Sequence, residues 1–250
     1  MSTRADLSAI ARPLVAKVKE HPFWTGLRAG TLPPSSLWYF AEQDARYVVP
    51  TYARALARCA ALAERDEHGT LLCSAASATF GSLPKLAAGL SELAAGLSEL
   101  AAGLSEPAAG LSEPVAGLSQ PAAGLPVAGS DSTEARPVIH AYTSFMLAAP
   151  TISFAAGIAG LLPMSWFHLF VSEDLRERCA PGSRYASWVA QYPPGGDYAG
   201  YVNAYLAMID EVGAHCSDLD RKRLVEQFLI GARFEWAFAE AAWRHQEWAV

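Results

Sequence analysis

Strand signals are scarce in this chain of 250 residues. Short alternating apolar and polar runs bounded by turns are nearly absent, and nothing resembles a series of β-α units. The four cysteines, Cys59, Cys73, Cys179 and Cys216, lack CxxC spacing. They read as reduced thiols and argue against a disulfide framework or a zinc site. No Lys/Arg cluster or stripe occurs and the net charge is −6, so nucleic acid is not the expected partner. The first residues, MSTRADLSAIARPLVAKV, carry charges throughout and lack the apolar run of a signal peptide, so a cytoplasmic location is expected.

Charge is missing altogether from Pro137 to Ser172, where no Asp, Glu, Lys or Arg stands. Pro150 and Pro163 are expected to cut this stretch into apolar pieces of about a dozen residues, short of the ~20 needed to cross a bilayer. Its Ala, Gly, Ser and Thr content suits close helix-helix contact. A buried central helical hairpin is expected, and no membrane span.

What the chain does have is helical periodicity. Apolar residues recur at 3.6-residue spacing in 36–65, 137–149, 151–162, 164–179, 197–215 and 218–248. Start signals fit, with Pro33-Pro34-Ser35-Ser36 before one helix and Ser217-Asp218 before the last. An all-α bundle is expected. Residues 87–128 break this texture with seven-residue units: AAGLSEL twice, AAGLSEP twice, then VAGLSQP and AAGLPVA. Leu90, Leu93, Leu97, Leu100 and Leu104 have coiled-coil spacing. Yet each unit carries a Gly, costing roughly 1 kcal/mol in a helix interior, and later units carry a helix-breaking Pro. The expectation is a frayed helix followed by a mobile linker. The repeat interrupts a single domain spanning 1–250 rather than dividing two, because the helices on either side look like parts of one core.

Two carboxylates fall on apolar faces. In LWYFAEQDARYVVPTYARAL, Glu42 and Arg46 are four apart and suited to pair in solvent. Asp44, two residues from each, points roughly 200° away. Its stripe holds Leu37, Phe40, Tyr47, Val48 and Thr51. In the last helix most charge lies on Arg233, Glu240, Arg244 and Glu247, whereas Glu235 shares a stripe with Phe228, Gly231, Ala232, Phe238, Ala239 and Ala242. A carboxylate among such residues is costly unless paired, and its pKa tends to rise. Satisfying the core by a hydrogen bond is one use of such a group. Holding an anchor and a general acid in one pocket is another.

The segment HPFWTGLRAGTLPPSSLWYFAEQDARYV resembles the N-terminal signature of the TenA/thiaminase II family, and AYTSF, LLPMSWFH, YASWVAQY and FLIGARFEWAFAEAAW are similar to its later blocks, in order. The resemblance covers most of 7–248 outside roughly 65–136, a region in which the family's usual helix content has no evident counterpart. It implies the heme-oxygenase-like helical fold, a homotetramer, no cofactor, and hydrolysis of thiamine or of aminopyrimidines in thiamine salvage. By that resemblance Asp44 binds the pyrimidine's ring nitrogen and amine, Tyr47, Tyr142 and Tyr192 line the pocket, and Glu235 handles protons at the leaving group. Met164 stands where the major branch carries an attacking cysteine, in what reads as the first turn of a helix after Pro163. A thioether has no ionisable proton and cannot replace a thiolate. Met164 is therefore expected to be a pocket wall, with water as the attacking group or no attacking group at all. His168, one turn on, stands where the family commonly has Tyr, and is expected to assist at a near-neutral pKa. His21 of HPF reads as a helix-start contact. Two other readings stay open: a non-catalytic pyrimidine-binding or regulatory protein, and an oxidase of the related PqqC type or a di-iron or heme member of the fold. Against the metal reading, no repeated Glu-x-x-His pattern occurs.

Overall fold

The computed structural model describes residues 2–105 and 134–250, the side chains of 97–105 excepted. Among the described residues there are helices and no strand: α1 (Thr3–Lys19), α2 (Pro22–Ala29), α3 (Pro34–Gln43), α4 (Val49–Ala61), α5 (Asp66–Ser105), α6 (Pro137–Ala148), α7 (Phe154–Arg178), α8 (Ala186–Gln191), α9 (Tyr198–His215) and α10 (Asp218–Arg244). Starts follow from side-chain caps. Ser153, Asp197 and Ser217 accept from the backbone N–H of Ala156, Gly200 and Asp220, satisfying donors that a helix start leaves open. Pro34 opens α3 at a position that needs no N–H. Gly30 ends α2 at φ 77°, a left-handed conformation that glycine takes without cost.

The centre is α7, buried on nearly all sides and packed most extensively against α10. It is the one described helix long and apolar enough to cross a membrane, but 72% of its apolar window is buried inside the bundle. A helix apolar all round suits such a core. α6 packs mainly on α10 and α4 rather than forming a hairpin with α7.

Three local expectations are corrected. Pro163 does not divide 151–162 from 164–179, because α7 runs through it. The ring removes one backbone bond, and the helix is held around it by packing and by side-chain hydrogen bonds to neighbouring carbonyls. Tyr205 donates to the Ile158 carbonyl and Ser165 to that of Leu162, while Gly231 of α10 lies directly against the Gly160 carbonyl and the Pro163 ring. Met164 is therefore mid-helix, not in a first turn.

Second, 34–61 is not a regular helix. Asp44–Val48 forms a π turn, with Val49 N–H bonded to the Asp44 carbonyl. Pro50 follows at once and has no N–H for the regular ladder. The extra residue shifts the inward face by one position, so Tyr52 is buried where Thr51 was expected. Glu42 and Arg46 do approach, at 3.6 Å, but Glu42 is buried rather than in solvent.

Third, the repeat begins inside a long helix. α5 has 40 residues, about 60 Å at 1.5 Å per residue, and lies along α4 with further contacts to α3 and α9. It supplies helix content that the sequence did not reveal between 65 and 105. The mobile linker expected for the later units falls on 106–128, outside the described residues.

Candidate active site

Asp44 lies at the junction of α3 and the π turn, and Glu235 two-thirds of the way along α10. Each keeps some accessible surface, yet each is strongly desolvated by the surrounding bundle. Burial pushes Asp44 up to about 7, and the nearby charge of Glu235 adds to the rise. Burial raises Glu235 to about 7 as well, against the pull of the Tyr142 hydroxyl, which donates to Oε1. Two carboxyls poised near neutrality give one site both an anionic anchor and a proton carrier.

The aromatic wall comes from four helices and the turn after α8. Tyr142 of α6 is buried and stacks on Phe234 at 4.9 Å. Tyr192, just past α8, has its hydroxyl driven well above the usual range by burial and then by Asp44 and Glu235, so it faces both. His168 of α7 stacks on Tyr192 at 4.6 Å, and Tyr192 on Trp188 at 4.8 Å. Tyr47, on the π turn, and Met164 are half-buried at the edge of the core.

One expected role is overturned. Burial lowers His168 to about 4, and its Nε2 lies 3.3 Å from the Tyr192 carbonyl. It is a neutral ring at physiological pH and carries no proton to a leaving group. His21 makes the expected helix-start contact: its Nδ1 accepts from Phe23 N–H, leaving Nε2–H to donate to Glu240 at 2.9 Å. Cys73 is exposed on α5. Among the described residues no group of three or more His, Cys, Asp or Glu is placed to hold a metal ion.

Sequence reasoning missed a second tyrosine group. Burial and then Tyr52 and Glu235 raise the Tyr198 hydroxyl, and Tyr52 is itself raised by burial with Glu235 nearby. Tyr198, Tyr201 and Tyr205 recur at i, i+3 and i+7 in the sequence, a legible stripe. Tyr52 was hidden by the π turn.

Paired carboxyls raised to about 7 and set among stacked aromatic rings in an all-α bundle are a candidate small-molecule site, with groups able to exchange protons near neutrality. Comparison with known proteins then gives the fold its relatives. A TenA homologue from P. horikoshii OT3 superposes with TM-score 0.67 at 24% identity, covering 98% of this chain and 99% of that one. A TenA family transcription regulator from a Silicibacter species gives 0.69 at 21% identity, covering 96% and 94%. The chain has the fold of TenA homologues. In sequence it is 31% identical over 116 residues to an aminopyrimidine aminohydrolase of Bacillus subtilis (strain 168), a stretch spanning 45% of this chain and about half, 48%, of that enzyme. No family model matches the chain.

Proposed function

We propose that this protein is a TenA-type hydrolase of aminopyrimidine or thiamine-derived compounds that works without a cysteine nucleophile. The observation that carries the reading is the pair Asp44 and Glu235, both raised to about 7 in one tyrosine-lined site. The likeness to an aminopyrimidine aminohydrolase supports it. Asp44, as carboxylate, anchors an amidine-like edge of the pyrimidine by charge-assisted hydrogen bonds. The stacked rings of His168, Tyr192 and Trp188 form an aromatic wall beside the pyrimidine, with Tyr47, Tyr142 and Met164 completing the enclosure. Glu235 accepts a proton from the attacking water. The water oxygen bonds to the carbon bearing the amine, the C–N bond breaks, and the proton leaves with the amine. Tyr142 orients Glu235 throughout.

The same reading makes 1–250 one domain interrupted by the repeat at 87–128, located in the cytoplasm, needing no cofactor, and assembling as a homo-oligomer, a tetramer by family resemblance. The deciding experiment assays the purified protein and Glu235→Gln on thiamine and on an aminomethyl-pyrimidine, with binding followed by calorimetry. Parent turnover is expected, with Glu235→Gln lowered by about 100- to 10,000-fold and binding retained. A parent that binds pyrimidines without turnover points instead to a sensor. A parent that neither binds nor hydrolyses them ends the reading.

A further inference from the structure

The π turn does more than bend a helix. Asp44 and Tyr52 are eight residues apart, which in a regular α-helix leaves them about 80° apart around the axis. Absorbing one residue in the π turn brings them to within about 20°, so one helical face delivers both to the surroundings of Glu235. Tyr52 is buried, and its hydroxyl lies 3.4 Å from that of Tyr201 on α9, with the Ser165 side chain of α7 close enough to act on its ionisation. Ser165 is fully buried, follows Met164, and is tied to the Leu162 carbonyl at 3.2 Å. Rings connect this hydroxyl group to the aromatic wall: Tyr201 packs on Tyr198 at 5.7 Å, and Tyr198 edges onto His168 at 5.8 Å. A phenol has one donor and two acceptor positions, so Tyr52 keeps capacity for a further partner beyond Ser165 and Tyr201.

Resting on the hydrolase reading above, we propose that Tyr52 is a further functional residue of the site: its hydroxyl, held by Ser165 and Tyr201, seats the attacking water on the Met164 side, opposite Glu235. The thioether of Met164 neither donates nor activates, so the water needs a second polar contact besides Glu235, and Tyr52 supplies it from a fixed position. The step itself is unchanged: Glu235 takes the water proton as the C–O bond forms, and that proton departs with the amine. Tyr52 exchanges none.

The test is Tyr52→Phe, which keeps the ring and removes only the hydroxyl. The expected result is a fall of about 100-fold in kcat, the cost of a misplaced reacting group, with KM and the calorimetric Kd for the aminomethyl-pyrimidine within about twofold of the parent and the melting temperature unchanged. In water–methanol mixtures the variant should also shift its product ratio toward the methyl ether, a change that a packing role does not produce. A parent-like kcat, or a loss shared by Kd and melting temperature with no change in that ratio, overturns the proposal. If Tyr52→Phe does not fold, Ser165→Ala serves. It frees the Tyr52 hydroxyl and should lower kcat by about tenfold at constant Kd, and an unchanged kcat overturns the proposal there too. An inactive, non-binding parent sinks the hydrolase reading and this inference with it, whereas an active parent indifferent to Tyr52 sinks this inference alone.

Discussion

α5 and the α7–α10 pair both carry glycine among Ala and Leu, yet glycine means opposite things in them. In α7 and α10 it marks contact. A Cβ on Gly231 would collide with the Gly160 carbonyl oxygen, and one on Gly157 would stand 2.9 Å from both Cys59 Sγ and Pro150 Cα. In α5, a Cβ on Gly81, Gly89 or Gly96 would meet nothing within 4 Å. The first set lets two backbones touch; the second only makes a helix more costly to form. The site follows the same division: Glu235 is one turn beyond Gly231, on the closely packed side, and the repeat contributes no described residue to it.

The sharpest way to break this contrast is Gly231→Ala. The methyl group must displace backbone on both helices, and a loss of about 3 kcal/mol is expected, as for overpacked cores. Chemical denaturation measures it, and a neutral outcome would show that α7 and α10 are not locked at this point.

Next in size is a pH effect confined to the packed region. Asp44 and Glu235 have folded-state values near 7 against ordinary values of 3.8 and 4.5. Between those limits the folded state holds protons that the unfolded chain has released, so their contribution to stability declines as pH rises from about 4 to about 7 and stays lost above. Asp44→Asn and Glu235→Gln should each raise stability at pH 8 relative to pH 5, by about 1–2 kcal/mol once residual solvent access is allowed for. Denaturation of parent and variants at the two pH values checks the sign. Equal shifts at both would place the carboxyls in solvent-like surroundings.

Excising 87–128 should cost less. Leu93 packs at the edge of the core, so a loss of about 1 kcal/mol is expected, with catalytic parameters unaltered. A fall in melting temperature of tens of degrees, or insoluble protein, would mean that the repeat belongs to the core. The smallest change is Gly89→Ala or Gly96→Ala, each expected to stabilise by about 0.5–1 kcal/mol. Destabilisation would reveal a neighbour against that face.

Met164→Cys shows how one structural correction propagates. Read as a first-turn residue, position 164 would hold a thiolate favoured by the helix macrodipole. In the middle of α7 that field is absent, and a half-buried thiol has little reason to ionise. The substitution alone is expected to add little thiamine hydrolysis in the same assay.

Several features were legible from the chain itself because they depend on neighbours a few residues away. Periodicity gave the helical class, Ser217 declared its cap, and Glu235 betrayed itself by sitting among Phe228, Gly231, Ala232 and Phe238. Asp44 was found for the same reason, since its angular offset from Glu42 and Arg46 is local geometry. Other features were decided only when helices met. Pro163 should interrupt a helix by any local rule, and α7 continues where Gly231 of α10 packs on the proline turn and Tyr205 of α9 bonds to the Ile158 carbonyl. The π turn replaces Thr51 by Tyr52 on the inward face, a one-residue shift that no uniform 100° wheel reveals. His168 carries the same side chain in either account. Its drop to about 4 comes from burial between Tyr192 and Tyr198, groups 24 and 30 positions along the chain, and a free energy of desolvation exists only once the fold has removed the water.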